Sequence, residues 1–576
     1  MRRDRAIYLR AALDVLLAVV LIAAAIGFVE DVRNTRDYGG VDLRNRVVGA
    51  RLMLEGMDPY HFKWSEEYPE RLLDPSDNPE NEVSRVTVPP TVLALHMTMA
   101  WLPYRAQRTL WLYVQWSLLL ASLLLFSRCA RTGEQARAVW IVGLLLSSTT
   151  IWRFHVERGQ IYVLYALLIA LSFWLSRRPW RYAAQGAGAA LGLATAMRPT
   201  LALMAIPLLV FGKTRITAGL VSALAILLLL SVVLFGMPVW RDYLSAMRYH
   251  ERDNLGMANP VGMAYRAMTI EGMDDLDTGK YFTAVNTSLQ WFLKRYLAMD
   301  VKGFGLLLML GPLLLAITMY LLKYRRRIVS LVAAYLTGTA MVLVSEYFIP
   351  AIKPAYVNIM WLAPASLAVL GADELTDIPR RHQALGLLTL QAGVFFCAYS
   401  PWREDAAFPG EALIVLFFLL AGFFMIKASP DRPTSDRQAD EALVPPAGTD
   451  ATVLRPDGPG CAAEKTTGTG CRLVGGPGSD GAGHLPRPEG VVLSENFGMR
   501  RDEGEEMGRG LDRNLPDLCG GGSAPGAFSR AGRSRTHPPT TSLIYGASSG
   551  AGETRRVGAG NEAAFRTPVS GGEWRA

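Results

Sequence analysis

The chain runs to 576 residues, 51% of them hydrophobic, with a formal net charge of +8 at pH 7. Its apolar residues gather into long uncharged runs, which excludes a water-soluble globular fold. The basic residues fall between those runs without the interleaved aromatics of a single-strand groove, so no nucleic-acid partner is expected.

The five cysteines form no C-x-x-C pair and no paired framework, so neither a structural zinc nor a disulfide scaffold is expected. Taken in chain order, residues 11–29, 109–127, 160–175, 216–235, 304–322, 328–345, 355–371, 384–399 and 411–427 are nearly free of charge. Each approaches the ~20 residues that cross ~30 Å of hydrocarbon, so they read as spanning helices. Shorter apolar runs at 138–152, 183–197 and 200–212 fill the gaps. The first run has no small-residue cleavage site after it and reads as a retained span. The fold class expected is an all-α integral membrane helix bundle.

Basic clusters orient it. Arg2, Arg3, Arg5 and Arg10 precede the first run, and further clusters stand at 128–137, 177–181, 213–215, 323–327, 380–381 and Lys427. All fall on the cytoplasmic side if the segment from Pro90 to Leu102, too short to span before Pro103, lies in the interface. This gives about twelve spans, cytoplasmic N- and C-termini, and two long outer loops at 30–106 and 237–303. From Ser429 the chain becomes Gly-, Pro-, Ser- and Arg-rich without period, so 1–428 is the membrane domain and 429–576 is expected to be a disordered cytoplasmic tail. The abrupt change of texture also fits a mispredicted reading frame.

The chemistry is expected on the outer face. Asp42 stands shortly after the first span in Gly39-Gly40-Val41-Asp42, where a carboxylate can meet a lipid-borne substrate; Gly-Gly-x-Asp is equally good turn chemistry. Glu30 and Asp31 end the first span and are further carboxylate candidates, although charges commonly terminate spans there. Asp58 in Gly-Met-Asp-Pro-Tyr reads as a turn residue. Arg153-Phe154-His155-Val156-Glu157-Arg158-Gly159-Gln160 places two cations in an outer connection, against the charge rule, and so calls for a compensating anion. Arg198 before Pro199 and Lys353 before Pro354 are similar lone cations. Together Arg153, Arg158, Arg198 and Lys353 could surround a lipid-linked phosphate, since cations chelate its oxygens; snorkelling at the interface is the plainer alternative. Asp275-Leu276-Asp277 reads as a solvated turn, and no P-loop or dinucleotide fingerprint is present.

Several weak motifs, in order, carry a resemblance. Val41-Asp42-Leu43, Gly56-Met57-Asp58-Pro59-Tyr60, Pro89-Pro90, Leu102-Pro103, Ala106, Leu110-Trp111, Arg158-Gly159-Gln160 and the small-residue run 186–197 ending in Arg198-Pro199-Thr200 resemble the polyprenol-phosphate-mannose-dependent mannosyltransferases. These are glycosyltransferase family 87, of the GT-C class. The likeness covers roughly residues 10–427. It implies a GT-C helix bundle and inverting transfer of a hexose, mannose in this family, from a polyprenyl-phosphate sugar. The acceptor would be a glycolipid or cell-envelope glycan at the outer face of the plasma (inner) membrane. Carried over, Asp42 is the general base and the cations hold the donor phosphate. The donor and acceptor, with membrane lipids, are the expected partners; no cofactor and no metal is expected.

The chain departs from the family twice. Arg46 stands where an aromatic often follows the aspartate. A late stretch that often carries His reads Ser345-Glu346-Tyr347-Phe348-Ile349-Pro350, followed by Lys353 and Tyr356. Tyr356, His155 and Gln160 are further site candidates, and His155 or His250 is the expected spatial substitute for the missing His. A transporter or flippase of lipid-linked saccharides is the rival reading. It would place ionisable groups at mid-membrane and show internal repeats, which this sequence does not.

Overall fold

A computed structural model of the chain describes residues 2–431 apart from 257–285, 400–402 and the single positions 38, 78, 80, 352 and 377. Asp275, Asp277 and the segment 432–576 lie outside the described residues. The described residues up to Asp431 belong to one unit, all-α with no strand among them.

The helices are α1 (Arg2–Asp37), α2 (Val41–Leu54), α3 (Pro90–Met97), α4 (Tyr104–Ser127), α5 (Gly133–Ser147), α6 (Thr150–Arg158), α7 (Tyr162–Ser176), α8 (Ala183–Met197) and α9 (Ala205–Val210). They continue as α10 (Thr214–Gly256), α11 (Leu289–Leu297), α12 (Gly303–Lys323), α13 (Leu331–Glu346), α14 (Leu362–Leu370), α15 (Ala372–Thr376), α16 (Arg380–Tyr399) and α17 (Arg403–Ala428). Among the described residues, five helices are long and apolar enough to cross a membrane alone, within α1, α4, α10, α12 and α17. A sixth crossing arises if α5 and α6, bent by 63°, are counted together. The expectation of about twelve crossings also needs the shorter apolar helices, such as α7 and α13, to cross as well.

Packing follows side-chain size. Along α8 the small residues Gly188 and Gly192 let α10 approach backbone to backbone: a Cβ at Gly188 would lie 2.0 Å from the Ile216 carbonyl oxygen. Without a hydrophobic force between helices in lipid, such close van der Waals packing holds them together. The centre is filled by Trp152, Phe126, Phe173 and Tyr335, all fully buried. A satellite core packs the loop residues Tyr60, Val83 and Val86 with Met53 of α2 and Leu93 of α3 against Ala246 of α10.

The first two basic clusters meet. Arg10 pairs with Glu134 at 2.6 Å, Arg137 with Asp14 at 2.6 Å and Arg131 with Glu374 at 3.6 Å, joining the starts of α1 and α5 to α15. The other end of α1 leads through Gly39-Gly40 into α2.

Two local differences from the sequence reading matter for the site. Residues 41–54, read as loop and turn, form helix α2, entered from Gly40 in the left-handed region (φ 76°). Residues 153–158, read as a connection, lie on helix α6, which follows Thr149 and ends at Gly159, also left-handed (φ 69°). The Gly40 N–H donates to the Glu157 carbonyl oxygen at 2.6 Å. Glycine at both positions lets the start of α2 and the end of α6 meet without Cβ strain.

Candidate active site

That junction positions Asp42. In the first turn of α2 its carboxylate lies near the positive end of the helix dipole, and the residue is 7% exposed. From the last turn of α6, Arg158 donates from Nε to Asp42 Oδ2 at 3.1 Å and from Nη2 to Oδ1 at 3.2 Å. Gln160 Nε2 also donates to Oδ2. Two further guanidinium groups close in. Arg85 Nη2 lies 3.8 Å from Oδ1. Arg46, one helical turn on from Asp42, donates to the Gly159 carbonyl oxygen at 3.0 Å and to Gln160 Oε1 at 2.5 Å.

Burial alone would raise the Asp42 pKa, but Arg158, Arg46 and Arg85 outweigh it and hold the carboxyl below its ordinary value. The carboxylate is therefore ionised at neutral pH, inside a patch whose three cations exceed its one negative charge. Each carboxylate oxygen can accept two hydrogen bonds. Among the described residues Oδ2 accepts two and Oδ1 accepts one, so within that set an acceptor position remains on Oδ1.

Beside this group stands an aromatic wall. The Tyr356 ring lies 5.0 Å from Phe154 and 5.8 Å from Tyr162. The Arg158 guanidinium lies 6.0 Å from the Phe154 centroid. Tyr162 leads to Arg198, whose guanidinium sits 4.8 Å over the ring and whose Nη1 donates to the hydroxyl at 3.2 Å. Arg198 is itself gripped by Glu346: Nε donates to Oε1 at 2.8 Å, Nη2 bonds Oε2, and Thr200 donates to Oε1 at 2.7 Å. Asp42, Arg158, Gln160, Tyr356 and Arg198 thus form one continuous group.

Arg153, Asp31 and Lys353 lie apart from it. Arg153 Nη1 meets Asp31 Oδ2 at 2.6 Å, and the Trp116 and Trp152 indoles donate to the same oxygen at 3.0 and 3.3 Å. The pair is sealed in: Arg153 is 5% exposed and Asp31 2%. Lys353 Nζ meets Glu411 Oε2 at 2.5 Å and also donates to Asn358 Oδ1 at 2.9 Å and Thr287 Oγ1 at 3.2 Å. So Arg153, Arg198 and Lys353 find counter-charges within the chain itself, in Asp31, Glu346 and Glu411. Of the four cations proposed for a phosphate, Arg158 and Arg198 keep partly accessible side chains, at 10% and 19%.

His155 is fully buried and stacks on Trp152 at 5.5 Å, with Gln115 Nε2 3.2 Å from its Nδ1. Glu30 is half-buried on α1. His250 bonds the Ser84 carbonyl oxygen at 3.1 Å, in the satellite core. Sequence reasoning missed Arg85 and Glu346 as site residues, and saw Arg46 only as a missing aromatic. Its spacing, one helical turn after Asp42, was the available signal once residues 41–54 are read as helix.

The model of glycosyltransferase family 87 matches residues 87–346. The match takes in Arg158, Gln160, Arg198 and Glu346 and begins after Asp42, Arg46 and Arg85. No curated protein and no solved structure matches the chain.

Proposed function

From the premise that residues 87–346 belong to glycosyltransferase family 87, so that the chain is a membrane glycosyltransferase, we propose that it transfers a hexose, mannose by the family's precedent, from a polyprenyl-phosphate sugar to a glycolipid or cell-envelope glycan at the outer membrane face. The observation that carries this reading is the Asp42 carboxylate, kept ionised by Arg158 and leaving Oδ1 able to accept one more hydrogen bond.

In this reading the acceptor hydroxyl donates to Asp42 Oδ1. As its oxygen attacks the anomeric carbon, the proton passes to the carboxylate, and the bond from that carbon to the phosphate oxygen breaks on the opposite face. One displacement inverts the anomeric configuration, and the electron pair leaves with polyprenyl phosphate. A carboxylate of low pKa suits a late proton transfer, when the attacking hydroxyl has become strongly acidic. The leaving phosphate gains charge, and preorganised guanidinium groups stabilise it without needing to reorganise. Arg158 and Arg198, whose side chains stay partly accessible, are proposed for that work; Arg46 and Arg85 hold Asp42 ionised, and Arg153 and Lys353 hold the segments that carry the site. Tyr162 and Tyr356, only partly buried, offer ring faces for the apolar faces of a sugar, with the buried Phe154 packed behind Tyr356. The donor is itself the substrate, so no separate cofactor enters.

The test is to supply the purified full chain in nanodiscs with radiolabelled polyprenyl-phosphate hexoses, one at a time, and a lipid extract as acceptor. Label appearing in a new glycolipid from one donor supports the reading. Transfer from nucleotide sugars alone would overturn it.

A further inference from the structure

At the other end of α2 from Asp42, three side chains converge that the transfer mechanism does not use. Asp58 and His61 lie on the turn after α2. Asp242 comes from α10, one turn and a half past the break at Gly236. Their ligand atoms all lie within 4.8 Å of one another. Asp58 Oδ1 accepts the Tyr60 N–H at 2.8 Å, which fixes the turn, and Oδ2 lies 2.8 Å from His61 Nδ1.

We propose that Asp58, His61 and Asp242 form a divalent-cation site that clips the first outer loop to α10. Two carboxylates and a neutral imidazole carry two negative charges, matching one divalent ion. Metal–oxygen and metal–nitrogen bonds of about 2.0–2.2 Å put ligand atoms roughly 2.8–4.4 Å apart around one ion, close to the spacing this cluster already has. An oxygen-and-imidazole donor set suits a first-row ion such as Zn2+ or Mn2+. The Asp58 and His61 side chains are about one-third exposed, at 35% and 34%, which gives an ion an entry path and room for water ligands.

The surroundings are built to be clipped. Directly beside the cluster, Tyr60 is fully buried, packs at 5.5 Å against Tyr243 and donates its hydroxyl to the Val88 carbonyl oxygen at 3.0 Å. Apolar contacts thus join the same two segments, while the facing carboxylates of Asp58 and Asp242 repel each other until a cation is placed between them. The ion would hold the C-terminal end of α2, whose first turn carries Asp42, and so would stabilise the outer cap rather than take part in the transfer. Sequence spacing gave no hint, because Asp242 stands more than 180 positions from its partners.

The test uses the full chain, stripped with chelator and titrated with Co2+. A saturable visible absorption of oxygen–nitrogen type at one ion per chain, with a higher thermal midpoint, is expected. Thiolate charge-transfer bands would instead report binding at one of the five cysteines and would count against the proposal. His61→Gln and Asp242→Asn, on separate elements, should each abolish both the absorption and the thermal shift, while the metal-free midpoint stays near that of the parent. If the parent takes up no Co2+ in this form, or if both variants bind as the parent does, the proposal is overturned. Should one variant fail to fold, the other decides alone.

Discussion

Arg158 grips both oxygens of Asp42, at 3.1 and 3.2 Å, although the two residues stand 116 positions apart. The contact joins the first turn of α2 to the last turn of α6, and the two left-handed glycines Gly40 and Gly159 make that junction possible. A planar fork against a carboxylate fixes orientation as well as charge. In the proposed reaction, orientation matters because Oδ1 must face the incoming hydroxyl.

Replacing the fork with a point charge tests this. Arg158→Lys keeps the positive charge but loses one of two charge-assisted bonds. At about 1.5–3 kcal/mol for such a bond, turnover should fall roughly 10- to 100-fold. Steady-state transfer rates, with folding checked by thermal midpoint, measure it. An unchanged rate would show that the bidentate geometry is irrelevant.

Asp42 also sets a pH expectation. Its folded pKa lies below the unfolded value of about 3.9, because the surrounding arginines outweigh the effect of burial. Its contribution to stability is therefore complete above that value and is lost as pH falls through the folded pKa. Across pH 5 to 7 neither activity nor stability should show a limb from this group. In Arg158→Gln the largest charge holding the pKa down is gone, and an acid limb should move up into view in a pH–rate profile.

Asp31 is a rival carboxylate. Its buried pair with Arg153, walled by Trp116 and Trp152, marks it as a structural group. Asp31→Asn leaves a buried guanidinium without its counter-charge, a change of about 3–5 kcal/mol. A large drop in thermal midpoint with transfer per folded molecule retained is expected. The reverse pattern would move the base to Asp31.

Lys353 invites a double substitution. If its partner is Glu411 and not a phosphate, Lys353→Met should destabilise by about 3–5 kcal/mol, while Lys353→Met with Glu411→Met should recover most of that loss. The Michaelis constant for the donor should be near normal in the double variant. A donor constant raised in the double variant as much as in the single one would return Lys353 to the phosphate site.

Much of the fold class was legible because apolar run length is a direct consequence of bilayer thickness. The site was legible in part. Asp42, Arg158 and Gln160 stand in short strings whose order carried the family resemblance, and the three prove to touch. A compensating anion was expected at the Arg153–Gln160 connection, since cations in an outer connection would break the charge rule, and a lipid-linked phosphate was the expected source. What could not be read was that the chain supplies counter-charges itself. Asp31, Glu346 and Glu411 reach their partners from 58 to 148 positions away, and pairing over such distances is fixed by helix packing. The same holds for Arg85, carried to Asp42 by an irregular loop with no period. Arg46 was hidden for a different reason: the left-handed Gly40 starts a helix where Gly-Gly suggested only a turn.

The measurement that bears most directly on the account is transfer by Asp42→Asn, using the full chain in nanodiscs with radiolabelled polyprenyl-phosphate mannose and a lipid extract. Asparagine keeps the size of the side chain and removes the basic oxygen. The account predicts a loss of roughly 10²- to 10⁴-fold in turnover, with donor binding retained. Transfer that survives at the parent rate would contradict it.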